Sequence, residues 1–151
     1  MGNEYTSAVI IGFTIEQDDL LRPFIVTKPE KYREEEWTGP KGQKRTERVL
    51  VSKKHDVYVL DGTEYEEVSE FVEALEALTN AHISEHGNYV DGCMSYGIES
   101  RLECEETEDD GIPLDYVSKV TPDLKRIHGL FKERFGLELG APAIHTMDSY
   151  G

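Results

Sequence analysis

Residues 63–78, Thr63-Glu64-Tyr65-Glu66-Glu67-Val68-Ser69-Glu70-Phe71-Val72-Glu73-Ala74-Leu75-Glu76-Ala77-Leu78, decide how this chain is read. At 100° per residue, Val68, Phe71, Val72, Leu75 and Leu78 share one side, and Glu66, Glu70, Glu73 and Glu76 fall opposite. Thr63 and Glu66 have the S/T-x-x-E spacing of a capping box. Glu64, Glu66 and Glu67 lie where the positive end of a helix dipole favours acids. The pattern predicts an amphipathic helix from Thr63 to near Gly87, with one side in a core and the other a ridge of carboxylates.

Strands are expected on both flanks. The β-branched run Ser7–Ile15 predicts a strand buried on both faces, and Pro23–Thr27 a short second one. Residues 29–48 are charged, centre on Gly39-Pro40-Lys41-Gly42, and predict an exposed loop or flexible hairpin. Val49–Val51 and Val57–Leu60 flank the polar stretch Ser52–Asp56, which is a hairpin pattern. Residues 93–104 alternate, with Met94, Tyr96 and Ile98 on one face, and predict a half-buried antiparallel strand running into an acidic loop, 105–111. A second helix is expected from Thr121, with Pro122 at its first position and Gly136 as its stop. The last fifteen residues add an edge strand. The sum is a single α+β domain over 1–151: a mainly antiparallel sheet of about five strands with two helices packed on one face.

The charge is concentrated. Residues 1–57 hold ten acids and ten bases, and residues 111–151 hold five of each. Residues 58–110 hold sixteen acids and one base, Arg101, and so carry the entire net −15. With 38% hydrophobic residues the chain can still bury a core. No run approaches the ~18 apolar residues of a membrane span, so a membrane partner is not expected. The start lacks a basic region followed by an apolar stretch, and so does not read as a signal peptide. Cys93 and Cys104 lie roughly 36 Å apart if one strand carries both, too far for a disulfide. Unpaired thiols without an export signal point to the cytoplasm.

Three motifs carry candidate chemistry. His82-Ile83-Ser84-Glu85-His86 matches the H-x-x-E-H spacing of inverzincin metallopeptidases. On a helix, His82 and His86 share a face and can hold one zinc, with Glu85 as general base and His145 as a conceivable third ligand. The plain alternative is two histidines complementing the C-terminal dipole of a helix. Next, Lys41, Lys44, Arg45, Arg48, Lys53 and Lys54 form a basic stretch beside Trp37, without the Walker spacing. It reads as a solvated hairpin tip, or as a dock for the acidic helix of a neighbouring copy. At net −15, direct nucleic-acid binding is disfavoured.

The third motif is the ridge itself, with the acids that follow it: Glu66, Glu70, Glu73, Glu76, Glu103, Glu105, Glu106, Glu108, Asp109 and Asp110. Such a run can simply keep a protein in solution. Functionally, it presents carboxylates to a basic protein surface as a phosphate backbone does, and a nucleic-acid-binding enzyme is one such partner. Tyr32, Trp37, Tyr89 and Tyr150 lie in polar segments that suit an interface. The leading expectation is a small, acidic, non-enzymatic binding protein of the inhibitor, immunity or nucleic-acid-mimic type. It engages its partner through carboxylates of residues 61–110 and needs no cofactor. The alternatives are a metal-dependent hydrolase using residues 82–86, and a structural subunit that forms homo-oligomers through acidic helix and basic hairpin.

Overall fold

A computed structural model describes residues 5–88, 92–103 and 111–150. The β-branched run is strand β1 (Tyr5–Glu16), followed by the short helix α1 (Gln17–Leu21) and a 3₁₀ turn, Arg22–Phe24. This corner buries Leu20, Leu21 and Phe24.

β1 has two partners. Its first half pairs antiparallel with β9 (Ala143–Tyr150), and its second half pairs antiparallel with β8 (Cys93–Ser100). Gly12 alone is in register with both, facing Ala143 on one side and Glu99 on the other. β8 pairs along its length with β7 (Ala81–Asn88), and a parallel bridge from Asn88 to Tyr150 closes the ring β1-β8-β7-β9. At Gly12 the backbone has φ +156°, and a Cβ there would stand 2.2 Å from the Ile98 carbonyl oxygen. Only glycine permits that approach.

The core lies on one face of this ring. Ile11, Phe13, Ala81, Ile83, Tyr96 and Ile98 pack beneath two helices, α2 (Val68–Thr79) and α3 (Leu114–Phe135). The helices contribute Phe71, Val72 and Leu75, and Val120, Leu124, Ile127 and Phe131. Phe24 joins them, with ring centroids 4.8 Å from Phe71 and 5.0 Å from Phe135, in the tilted and edge-on geometries that aromatic quadrupoles favour.

Two further sheets grow from the corner. β2 (Ile25–Lys28), β5 (His55–Leu60) and β6 (Thr63–Tyr65) form one, and β3 (Lys31–Thr38) and β4 (Lys44–Ser52) the other. The ladders follow one another along the same two segments: Lys28 pairs with His55, and Lys31 with Ser52. Between them stand Pro29-Glu30 and Lys53-Lys54. Pro29 has no N–H to offer a ladder, so the pairing breaks there.

Several expectations are corrected. The mixed, mostly antiparallel architecture stands, but the described residues hold nine strands in three sheets and three helices, not about five strands and two helices. Val49–Val51 do not form a hairpin with Val57–Leu60; β4 pairs with β3 and runs on into β5. The reversals lie elsewhere. Gly39 N–H donates to the Gln43 carbonyl at 2.7 Å in one, and Asp61-Gly62, with φ of 52° and 84°, forms the type I′ turn of the other. The first long helix spans only Val68–Thr79, because Thr63–Tyr65 are held as β6 against β5. α3 begins at Leu114, and Pro122 sits inside it. Its extra turns are tied down by burial of Val120 and by the Tyr116 hydroxyl donating to the Leu102 carbonyl at 3.0 Å. β9 is not an edge strand but closes the ring. Cys104 and the acidic residues 105–110 lie outside the described residues, and so does the reading of the cysteine pair.

Arg126 of α3 locks the α2–β7 corner. Its guanidinium donates to the Thr79 and Asn80 carbonyls at 2.8 and 3.0 Å, satisfying the C-terminal end of α2, while Asn80 turns the chain with φ 50°. Asp123 holds Arg126 at 2.7 Å and accepts from Ser100 Oγ at 2.6 Å. Partial burial pushes the Asp123 carboxyl up, but the hydrogen bonds from Arg126 and Ser100, with the Arg126 charge, outweigh it and hold it below the usual range.

Two measurements check this frame. Gly12→Ala forces a backbone clash and lowers the urea-unfolding free energy by about 2–3 kcal/mol. Asp123→Ala lowers it by about 2 kcal/mol at pH 7, as loss of charge-assisted hydrogen bonds predicts. Because the folded carboxyl is the stronger acid, its contribution is complete above the unfolded value of about 3.9 and disappears as pH falls through the folded one. The gap between wild type and variant therefore closes on acidification below about pH 4, and a gap independent of pH would refute the assignment.

Candidate functional site

The exposed side of α2, with the residues that lead into it, is the candidate site. Phe71 and Leu75 are wholly buried, which fixes the rotation of the helix. Glu70 and Glu73 stand on the outer side, and Glu66 and Glu67 precede the first turn, all four exposed. The expected capping box is absent. Thr63 belongs to β6, the residue flanking the helix is Glu67, and no side chain caps the end. Among the described residues none of Glu66, Glu67, Glu70 and Glu73 forms an ion pair, whereas Glu64 pairs with Lys28 at 2.5 Å. Glu70 and Glu73 are three residues apart on the helix and repel one another, and with Glu66 and Glu67 just before it this edge is a source of negative potential.

Glu76 is different. It is half-buried, accepts the Ile83 N–H at 2.9 Å, and lies 3.6 Å from Nδ1 of His82. Its carboxylate therefore joins α2 to the start of β7, and it is no part of the free ridge. Glu103 is exposed just past β8, beside a hollow that also holds Asp115, Tyr116 and Lys119. Glu105, Glu106, Glu108, Asp109 and Asp110 lie outside the described residues.

The histidine motif lies on a strand, which corrects its helical reading. Along β7, His82 and His86 are four residues, or roughly 13 Å, apart, too far to share a zinc through Zn–N bonds of about 2 Å. Glu85 points to the opposite face, in register with Tyr96. His86 meets the Ser84 hydroxyl at 2.8 Å through Nε2. What the ring does bring together is His86 and His145, which line an open cleft of about 470 Å³ with Glu16, Ser95, Met147 and Asp148. Among the described residues no group of three or more His, Cys, Asp and Glu is placed to hold a metal ion. No helix among them is long and apolar enough to cross a membrane.

The basic stretch forms the distal ribbon, β3–β4, whose residues 31–48 are exposed apart from Gly39. Arg45 lies over the Trp37 ring at 4.2 Å and Arg48 over Tyr32 at 4.1 Å, so the guanidinium planes cover the aromatic faces. Of the expected interface aromatics, Tyr32 and Trp37 are thus both exposed, on opposite faces of the ribbon because five residues of regular strand separate them, and Tyr89 lies outside the described residues.

Comparison with known proteins finds no matching family model, no matching curated protein and no matching solved structure.

The division between free and structural acids has a direct check. Glu76→Ala leaves the Ile83 N–H without its acceptor and lowers the free energy of unfolding by about 1–2 kcal/mol. Glu70→Ala and Glu73→Ala change it by less than about 0.5 kcal/mol, as exposed sites do. Chemical denaturation of the three variants reads the difference.

Proposed function

We propose that the protein is a non-enzymatic binding module that engages a basic protein surface through the acidic edge of α2. The observation that carries this reading is a set of four exposed carboxylates, Glu70 and Glu73 on a helix whose other side is anchored in the core and Glu66 and Glu67 in the segment leading into it, none of them paired with a cation among the described residues. Repulsion among them is relieved when cations from a partner arrive, and the helix backbone, already fixed by the core, needs no ordering on binding, so that the entropic cost falls mainly on the side chains. An inhibitor or immunity protein that covers the nucleic-acid-binding surface of an enzyme has this form. Association of this type is fast, and it weakens with salt as the Debye length falls from ~10 Å at 0.1 M to ~3 Å at 1 M.

The test is capture from the lysate of the native host, comparing wild type with Glu66→Gln/Glu70→Gln/Glu73→Gln, followed by titration of the purified partner. A basic partner is expected whose affinity falls at least tenfold in the triple variant and again at high salt. If the triple variant captures the same proteins with the same affinity, the edge serves only to keep the chain in solution.

A further inference from the structure

We propose that the β3–β4 ribbon is a docking arm for a second copy of this chain, its tip lying along the acidic edge of that copy's α2. The proposal rests on the reading of α2 above and names the basic surface which that edge meets.

Three observations carry it. First, the ribbon stands as a two-stranded sheet of its own, and neither outer edge pairs with another strand among the described residues. Eight residues of β3 extend roughly 26 Å. A two-stranded ribbon is marginal in water, and unpaired edges invite pairing or cover. Second, this ribbon displays apolar side chains of a kind usually found inside, Trp37 at 46% exposure toward its tip on one face, Tyr32 at 39% and Leu50 at 42% paired on the other, and Val51 at 54% near its base. Aromatic and arginine side chains set side by side are the composition of interface centres. Third, the charges match. Residues 37–48 carry Lys41, Lys44, Arg45 and Arg48 against Glu47 alone, a net +3 in a chain of net −15.

The arm's own ion pairs are local, Arg33 with Glu35 at 2.5 Å and Arg45 with Glu47 at 2.8 Å. Lys41 and Lys44 form none among the described residues, as is true of Glu66, Glu67, Glu70 and Glu73. Each chain thus offers an unmet basic surface and an unmet acidic one. A nucleic acid would satisfy the arm, but it would also meet the repulsion of the remaining charge. A second copy satisfies both surfaces together. Because arm and helix edge are different surfaces, the contact is head-to-tail, and it builds a ring if the rotation closes or a filament if it does not.

The test is sedimentation of the purified full chain at tens of micromolar, at low and high salt, with circular dichroism to verify each fold. Wild type is expected to sediment at twice the single-chain mass or more at low salt, and as a single chain at 1 M salt. Reversing the arm (Lys41→Glu/Lys44→Glu/Arg45→Glu) or the helix edge (Glu66→Lys/Glu70→Lys/Glu73→Lys) should each give monomers. Mixing the two reversed chains restores assembly, since each basic surface again meets an acidic one. A wild type that is monomeric at every concentration and salt overturns the proposal. If that monomer still captures a basic partner through α2, the reading of the previous section survives alone. Assembly lost on arm reversal but kept on helix reversal also overturns it, placing the arm on another surface. Should the arm bind an oligonucleotide while the chain stays monomeric, nucleic acid replaces the second copy as its ligand.

Discussion

The contact between the Gly12 backbone and the Ile98 carbonyl is the constraint on which the rest of the structure depends. Where β1 is in register with both β9 and β8, it must come so close to β8 that no side chain fits between them. The pleat on either side of this point then directs Ile11 and Phe13 to the core. α2 and α3 bury their apolar sides against the surface so formed and against the neighbouring Phe24, Tyr58 and Tyr65. A single missing methyl group decides how the N-terminal strand can serve two neighbours at once.

From this frame the acidic edge follows mechanically. Phe71 and Leu75 orient α2, Arg126 and Asn80 end it, and Glu76 ties it to β7. Each of these contacts removes a freedom from the helix, and what is left facing water is a short row of carboxylates at fixed spacing. The division of labour is chemical as well as positional. The acid with a backbone N–H to accept is half-buried, and the acids without a partner are exposed.

Much of this frame was legible in the chain. The β-branched run gave β1, the helical spacing of Val68, Phe71, Val72 and Leu75 gave the buried side of α2, the alternation around Tyr96 gave β8, and Gly136 marked the end of α3. The errors arise where one pattern was read and a neighbouring signal or strand pairing prevailed. Thr63 and Glu66 have the spacing of a capping box, but the Asp61-Gly62 turn, a strong hairpin signal, commits Thr63 to a strand first. Asn80 and the alternation Ala81, Ile83 against His82, Ser84 marked where helix gives way to strand. An i, i+4 histidine spacing puts both side chains on one face in either period, which is why the segment could be read as helix and folds as strand. Pro122 looked like a helix start because nothing before it is strongly periodic. The joint cleft of His86 and His145 had no local signal, since it forms only when the ring closes.

The interruption at Pro29 has a consequence for geometry at a distance. Beyond it the ribbon extends as a sheet of its own, and geometry alone dictates that a tilt of about ten degrees at the break would carry a tip some 26 Å away through roughly 5 Å. That displacement is close to one turn of an α-helix. Under the docking proposed above, such a tilt would shift the tip by about one step along the acidic edge of a neighbouring copy without altering any residue of the core.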